Sequence, residues 1–236
     1  MTSAAPEISV VIPVHNGERY LAESIESVLA QAHPALELLV IDNGSTDGTG
    51  GVARRYPSVL YTYLPEKGLC KALNHGIERC RGAFLAFLDA DDLWPTGRLA
   101  AQLEAFARDP ALELVLGYVE QFISPELDDA VKATLSIRDR RLPGCHRGCM
   151  LMRSESFRRV GMFDASIDYG EFLDWYMRAE EHGIREIMLP DVVTRRRIHG
   201  ANLGYSDRNL RVAYARVLKR GLDRRRRASQ ERASDA

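Results

Sequence analysis

The sequence predicts an α/β protein built on a mostly parallel sheet with helices on both faces. Three observations carry that expectation. Between residues 8 and 108 short apolar runs alternate four times with helix-spaced segments, polar turns stand where the runs end, and the composition is that of an ordinary globular chain. With 236 residues, 45% of them hydrophobic and 28% charged, the chain can bury the core of one large α/β domain or two small ones.

The elements follow in order. Ile8 to Val14 is a β-branched run, followed by Asn16-Gly17 and then by Leu21, Ile25, Val28 and Leu29 at the spacing of one helix face. Leu36 to Ile41 reads as a second strand, and the polar turn Asp42-Asn43-Gly44-Ser45-Thr46-Asp47-Gly48 can cap a helix running toward Tyr56. Val59 to Leu64 is a third strand, after which Leu69, Ala72, Leu73 and Ile77 give a helix its apolar face. Phe84 to Leu88 is a buried strand ending in Asp89-Ala90-Asp91-Asp92, and Leu99, Leu103 and Phe106 point inward from a helix over about 95–108. Beyond that the signal weakens. Leu112 to Val119 reads as a strand, Pro125 to Pro143 as a polar excursion, Met150 to Val160 as a strand or turn entering a helix, and Asp174 to His182 as a helix. Ser206 can cap a last helix that places Leu210, Tyr214, Val217, Leu218 and Leu222 on one face.

Met1 to Glu7 carries no basic stretch before an apolar core, and the longest wholly apolar run, Ala83 to Leu88, is far short of the roughly 20 residues a bilayer span needs. The expectation is a cytoplasmic protein, neither exported by a standard signal nor transmembrane. Cys70, Cys80, Cys145 and Cys149 lack the spacing of a zinc or disulfide set and read as thiols in a reducing compartment. The net charge of −1 is unevenly spread: Arg208 to Arg232 holds ten basic residues against two acids, so the rest carries −9. An acidic body argues against a nucleic-acid binder, whose basic residues line the working face.

In an open parallel sheet, ligands bind beyond the carboxyl ends of the strands. Here those positions hold residues 13–18, then 42–47, then 89–92, three polar or acidic clusters on one rim. Like-charged carboxylates at a strand end raise one another's pKa unless a cation compensates them, so Asp89, Asp91 and Asp92 point to a hard divalent metal, Mg²⁺ or Mn²⁺.

Taken together, Val10-Val11-Ile12-Pro13-Val14-His15-Asn16-Gly17-Glu18, Ile41-Asp42-Asn43-Gly44-Ser45-Thr46-Asp47-Gly48-Thr49 and Phe87-Leu88-Asp89-Ala90-Asp91-Asp92 resemble the amino-terminal half of the family 2 glycosyltransferases. The resemblance implies a GT-A fold, a Rossmann-like nucleotide-binding half plus an acceptor half. It also implies transfer of a sugar with inversion from a nucleotide diphosphate donor, a UDP-sugar, to an acceptor hydroxyl that it does not identify. It places Pro13, Asn16 and Glu18 at the nucleotide, Asp42 at the base, Asp89 at the ribose and Asp91 on the metal. Arg197 would pair with phosphate, and His199, in Arg195-Arg196-Arg197-Ile198-His199-Gly200, could ligate the metal or touch the diphosphate. Relatives often carry Arg where this chain has Leu73, and an acid that serves as base where it has Phe172. The resemblance implies one domain over 1–204, with the donor half at 8–110 and the acceptor half at 111–204, and leaves a basic amphipathic helix and tail at 205–236.

Removing the acceptor proton needs a carboxylate across the sugar from the leaving group. Asp168-Tyr169-Gly170-Glu171-Phe172-Leu173-Asp174-Trp175 supplies candidates, because Glu171 and Asp174 share one helix face at i, i+3. The reading leans to Asp174 for proton removal and Glu171 for acceptor positioning. Pro143 to Met150, glycine-rich, lies where relatives face the acceptor. A dinucleotide dehydrogenase and a P-loop enzyme lack their glycine motifs here, which leaves a nucleotidyltransferase or a catalytically degenerate nucleotide-sugar binder as rivals. For the tail, the expectation is a stripe packed on protein with Arg224 to Arg227 solvated and open to an anionic partner, against the alternatives of a peripheral membrane helix or a docked neighbouring subunit. A homodimer is left open.

Overall fold

A computed structural model describes residues 7–135, 137, 139–167, 169–200, 202 and 210–234, without the side chains of 210, 211, 228 and 231–234. Met1, Asp168, Ser206 and Arg208, named above, lie outside the described residues. The elements are β1 (Ile8–Val14), α1 (Leu21–Leu29), β2 (Leu36–Asn43), α2 (Thr49–Ala53), β3 (Val59–Leu64), α3 (Leu69–Arg79), β4 (Phe84–Phe87), α4 (Arg98–Arg108) and β5 (Leu114–Ile123). They continue with α5 (Asp129–Thr134), β6 (Arg141–Pro143), a 3-10 turn (Arg147–Cys149), β7 (Leu151–Arg153), α6 (Ser154–Val160), α7 (Glu171–Glu181), β8 (Glu186–Ile198) and α8 (Leu210–Ser234).

One sheet runs in the order β3-β2-β1-β4-β7-β5-β6, and β8 pairs with β5. The first four strands are mutually parallel, β7 is antiparallel to both β4 and β5, and β8 is parallel to β5. This topology gathers the site. The carboxyl ends of β1, β2, β4, β5 and β8 share one rim, and because β7 runs the other way, the turn before it reaches that rim too.

Alternation along the strands sends side chains to two cores. Ile8, Val10, Ile12, Leu38 and Val40 pack with Leu21, Ile25 and Val28 of α1 and with Leu99 and Phe106 of α4. Val11, Leu39, Ile41, Leu85 and Phe87 pack with Leu73 and Ile77 of α3, Phe157 of α6 and Trp175 of α7. Burying each such aliphatic side chain contributes roughly 1.5–3 kcal/mol. Trp175 is fully buried, stacks on Phe157 at 4.8 Å and donates its indole N–H to the Gly161 carbonyl at 2.9 Å, which fixes α7 against α6.

Several elements depart from the expectation. The helix after the acidic turn starts at Arg98, because Gly97 is left-handed (φ +81°), and α7 starts at Glu171 after left-handed Gly170 (φ +86°). The polar excursion contains α5 and β6. Most consequential is β8, a 13-residue edge strand over a stretch in which the sequence had suggested only the Arg195 to Gly200 element. Its burial does not alternate, Pro190 interrupts it, and the register shifts near Gly117 absorb the irregularity.

The tail is corrected as well. Helix α8 packs along α7 through Val217 and Gly221, and a Cβ on Gly221 would lie 2.1 Å from Met177 Cε. Tyr214, Leu218 and Leu222 of the expected stripe, however, are about half exposed, and Arg224 and Arg225 pair with acids of α7. The seam runs along a row of small or ion-pairing residues beside the apolar stripe.

Candidate active site

The loops after β1 and β2 are stitched together by short polar groups. The Asn16 N–H donates to Ser45 Oγ at 2.8 Å, Asn16 Oδ1 accepts the Thr46 N–H at 2.8 Å, and Glu18 Oε2 accepts the Gly48 N–H at 2.9 Å. Pro13 is buried in β1 beside Ile41 of β2. Asp42, at the end of β2, is buried and accepts the Ser45 N–H at 2.8 Å and the Tyr61 hydroxyl at 2.7 Å. Beside it, Asn43 Oδ1 is buried with no hydrogen-bond partner among the described residues.

The acidic turn after β4 is fastened to the end of β8. Leu93 and Arg195 exchange main-chain hydrogen bonds at 3.0 and 2.8 Å, and the Arg197 N–H donates to Asp92 Oδ1 at 2.9 Å. Burial, with the charges of Asp91 and Asp89, pushes the Asp92 carboxyl well up, so this residue serves the join. The join sets His199 Nε2 3.0 Å from Asp91 Oδ2, to which Asn202 Nδ2 also donates at 3.2 Å. Among the described residues no group of three or more His, Cys, Asp or Glu is arranged around a cation. The Asp91–His199 pair nevertheless fits one: adjacent ligands about 2.1 Å from an octahedral ion lie about 3 Å apart, and such ions commonly leave their other positions to water and phosphate.

Arg197 and Arg196 diverge as neighbours on a strand must. Arg197 is buried and fully occupied, donating to Glu23 Oε2 at 2.7 Å, the Asp91 carbonyl at 3.0 Å and Ser124 Oγ at 3.1 Å, with its guanidinium over the Tyr20 ring. It latches α1 to the rim. Among the described residues the Arg196 side chain makes no hydrogen bond or ion pair, yet its charge acts on Asp89, Asp92 and His146.

The centre of the rim is Arg147. From the 3-10 turn before β7, one guanidinium nitrogen donates to Asp89 Oδ1 and another to Glu171 Oε1, while its Nε is buried without a partner among the described residues. Burial pushes the Asp89 carboxyl up, but the Arg147 cation outweighs it and holds the group below the usual carboxylate range. The turn is itself held by Arg98, the first residue of α4, which is buried and has no carboxylate partner among the described residues. Arg98 donates to the carbonyls of Gly148 (2.6 Å), Met150 (3.0 Å) and Val193 (3.0 Å) and to Gln102 Oε1 (3.0 Å). Sequence reading assigned no role to Arg98, Arg147 or Arg196. Arg98 had a signal, since with Gln102 and Phe106 it falls on the buried row of α4 at four-residue spacing.

Glu171 and Asp174, one turn apart on α7, have different partners. Glu171 faces Arg147 and the rim. Asp174 is bound on both oxygens, by Arg178 Nε at 3.0 Å and by an Arg224 terminal nitrogen from α8 at 2.8 Å, and its side chain is only 5% exposed. Phe172 is buried in the core against Trp175, and Leu73 lies buried in α3.

The family model described as "Glycosyl transferase family 2" matches residues 9–161. The putative teichuronic acid biosynthesis glycosyltransferase TuaG of Bacillus subtilis is 35% identical over 153 residues, 57% of this chain and 61% of that protein. An uncharacterized glycosyltransferase of Rickettsia typhi is 30% identical over 73% of this chain and 58% of its own length. The chain thus spans about three fifths of these relatives. Among solved structures, mannosyltransferase PcManGT of Pyrobaculum calidifontis, in complex with GDP-Man and Mn2+, superposes with a TM-score of 0.65 at 25% identity, over 95% of this chain and 65% of that one. The S. aureus TarS 1-349 complex with UDP-GlcNAc gives 0.69 at 19% identity over 85% of this chain and 61% of that one, a likeness of fold. The matched span holds all three strand-end clusters, and the chain belongs to glycosyltransferase family 2, with the GT-A fold.

Proposed function

We propose that this chain transfers a sugar, with inversion, from a nucleoside diphosphate donor to an acceptor hydroxyl, with help from a divalent cation. The observation that carries the reading is the Asp89–Arg147–Glu171 bridge, which ties a donor-side carboxylate to one placed across the rim. Ligand-bound structures similar in fold hold UDP-GlcNAc or GDP-Man, the latter with Mn2+.

In this reading Pro13, Asn16 and Glu18 shape the nucleotide pocket, Asp42 and the open Asn43 Oδ1 receive donors of the base, and Asp89 receives the ribose. Asp91 and His199 would hold the cation, and a carboxylate–imidazole pair suits Mn²⁺ better than Mg²⁺. When bound, the cation neutralises charge that grows on the leaving diphosphate. Arg196, lacking a protein partner among the described residues, is the side chain best placed to pair with phosphate, whereas Arg197 is committed to its latch. Glu171 takes the proton from the acceptor hydroxyl. The hydroxyl oxygen bonds to the anomeric carbon as the bond to the diphosphate breaks, and its electron pair leaves with the nucleoside diphosphate. Arg147 stays paired with Asp89 meanwhile and orients Glu171, while Asp174, held by two arginines, anchors the helix.

The test is to offer UDP- and GDP-sugars with Mn²⁺ and analyse products. Free nucleoside diphosphate is expected, and release of pyrophosphate would indicate a nucleotidyltransferase. Asp91→Ala should lose the Mn²⁺-dependent rise in thermal midpoint with donor and lower turnover about 10²- to 10³-fold, the equivalent of several kcal/mol of charge stabilisation. Undiminished turnover by this variant in a chelator would overturn the cation's role.

A further inference from the structure

The seam between α7 and α8 uses one row of α8 and leaves the next row bare. Val217 and Gly221 face α7, Tyr214 lies against Gly170, and Arg220, Arg224 and Arg225 are taken up by Asp164, Asp174, Glu180 and Glu181. Around the helix from that seam, Tyr214 (45%), Leu218 (45%) and Leu222 (50%) are exposed at four-residue spacing, a continuous apolar row. Lys219 and Arg226, seven residues apart, border it on the solvent side, whereas Arg216 and Arg227 are exposed on the far side of the helix from this row. Among the described residues Arg216, Lys219 and Arg227 have no acidic partner, and Arg226 reaches only Asp223, at 4.0 Å.

We infer that this flank of α8 docks on an anionic lipid surface. The apolar row would enter the boundary between headgroups and acyl chains while the long basic side chains reach the headgroup charge. Among the described residues no helix is long and apolar enough to cross a membrane, so the contact is one that lies along the surface. A second copy of the chain is a poorer occupant. An isologous contact through this flank would set Lys219 and Arg226 of one copy against those of the other, whereas an anionic bilayer compensates them. Tyr214 touches the residue that precedes Glu171, so the docked flank adjoins the candidate active site.

The experiment is co-sedimentation of the full chain with vesicles of phosphatidylglycerol and phosphatidylcholine against vesicles of phosphatidylcholine alone. Binding confined to the anionic vesicles and weakened by salt is expected. Each basic residue near such a surface contributes about 1 kcal/mol, so Lys219→Gln and Arg226→Gln together should lower binding roughly thirtyfold. Leu218→Ser with Leu222→Ser should remove most of what remains. Leu218→Trp provides a reading independent of those variants, because its emission should shift to the blue when anionic vesicles are added. Failure of the folded wild type to bind, equal binding by the neutralised variant, or an unshifted Leu218→Trp spectrum would each overturn the inference. A concentration-dependent dimer that protects Leu218 and Leu222 from solvent would overturn it in favour of a second copy.

Discussion

The donor side of the rim and the acceptor side hold their carboxylates by different means. On the donor side Glu18, Asp42 and Asp47 accept main-chain N–H groups and hydroxyls from residues 45–49, and Asp91 is met by an imidazole and an amide. Asp91 stays about a third exposed. On the acceptor side Glu171 and Asp174 are 7% and 5% exposed and are bound by arginines, Asp174 by two. Main-chain, hydroxyl and amide donors leave a carboxylate its charge, and Asp91 also keeps its approach to solvent, as a cation site needs. Buried guanidinium pairs fix position, and removing one partner leaves an uncompensated charge. Arg147 is where the two arrangements meet, since it holds one carboxylate from each.

The sharpest way to break the comparison is to neutralise the two acids of α7 separately. Glu171→Gln should lower turnover by about 10²- to 10⁴-fold with donor affinity nearly unchanged, the effect of losing a positioned general base. Asp174→Ala should act on stability instead, by about 3 kcal/mol in chemical denaturation, because two arginines lose a buried partner, while turnover of the folded enzyme stays within about tenfold. If the two variants exchange these effects, the base is Asp174.

A smaller effect sharpens the meeting point. Arg147→Lys keeps a cation but not the planar fork that reaches two carboxylates at once. It should lose part of the turnover that Arg147→Ala loses, on the order of tenfold against a hundredfold. Equal turnover in wild type and both variants would remove Arg147 from the positioning of Glu171.

The same contrast explains what could be read from the chain. On the donor side each strand ends in the polar turn that bears its own ligand-facing residues, so periodicity and turn chemistry marked Asp42, Asp89 and Asp91 in place, although the partners of Asp91 lie 108 and 111 positions away. The acceptor side is assembled from distant residues. Arg147 pairs with partners 58 and 24 positions away and Asp174 with one 50 away, and the Arg197 latch beside the acidic turn reaches one 174 away. No spacing rule reaches that far. Strand β8 was hidden for a related reason: its edge carries Pro190 and three successive arginines, and the partners of Arg195 and Arg197 on other elements make a charged run a partly buried strand. The tail helix was expected from its spacing, but its inward row depends on Gly221 and Arg224, which meet Met177 and Asp174 and would otherwise read as solvent-facing.

The smallest effect concerns pH and His146, beside Arg147 in the same turn. Its Nδ1 accepts the Gly148 N–H at 3.2 Å and its Nε2 lies 3.1 Å from Cys149 Sγ. Burial pushes the imidazole down to about 4 from an ordinary 6.5; Asp89 opposes the shift, while Arg147, Arg196 and Arg98 reinforce it. The unfolded chain therefore takes up a proton near pH 6.5 that the folded chain refuses until about pH 4. Stability from the neutral ring is present above 6.5 and lost as pH falls through that window. His146→Asn keeps an acceptor for Gly148 without a group that titrates there. Thermal and chemical denaturation between pH 7 and about pH 4 should show wild type losing on the order of 1–3 kcal/mol more than the variant. Parallel curves would mean that the turn admits a charged imidazole, and hence that Arg147 and Arg196 oppose a further positive charge at the rim less than their placement suggests.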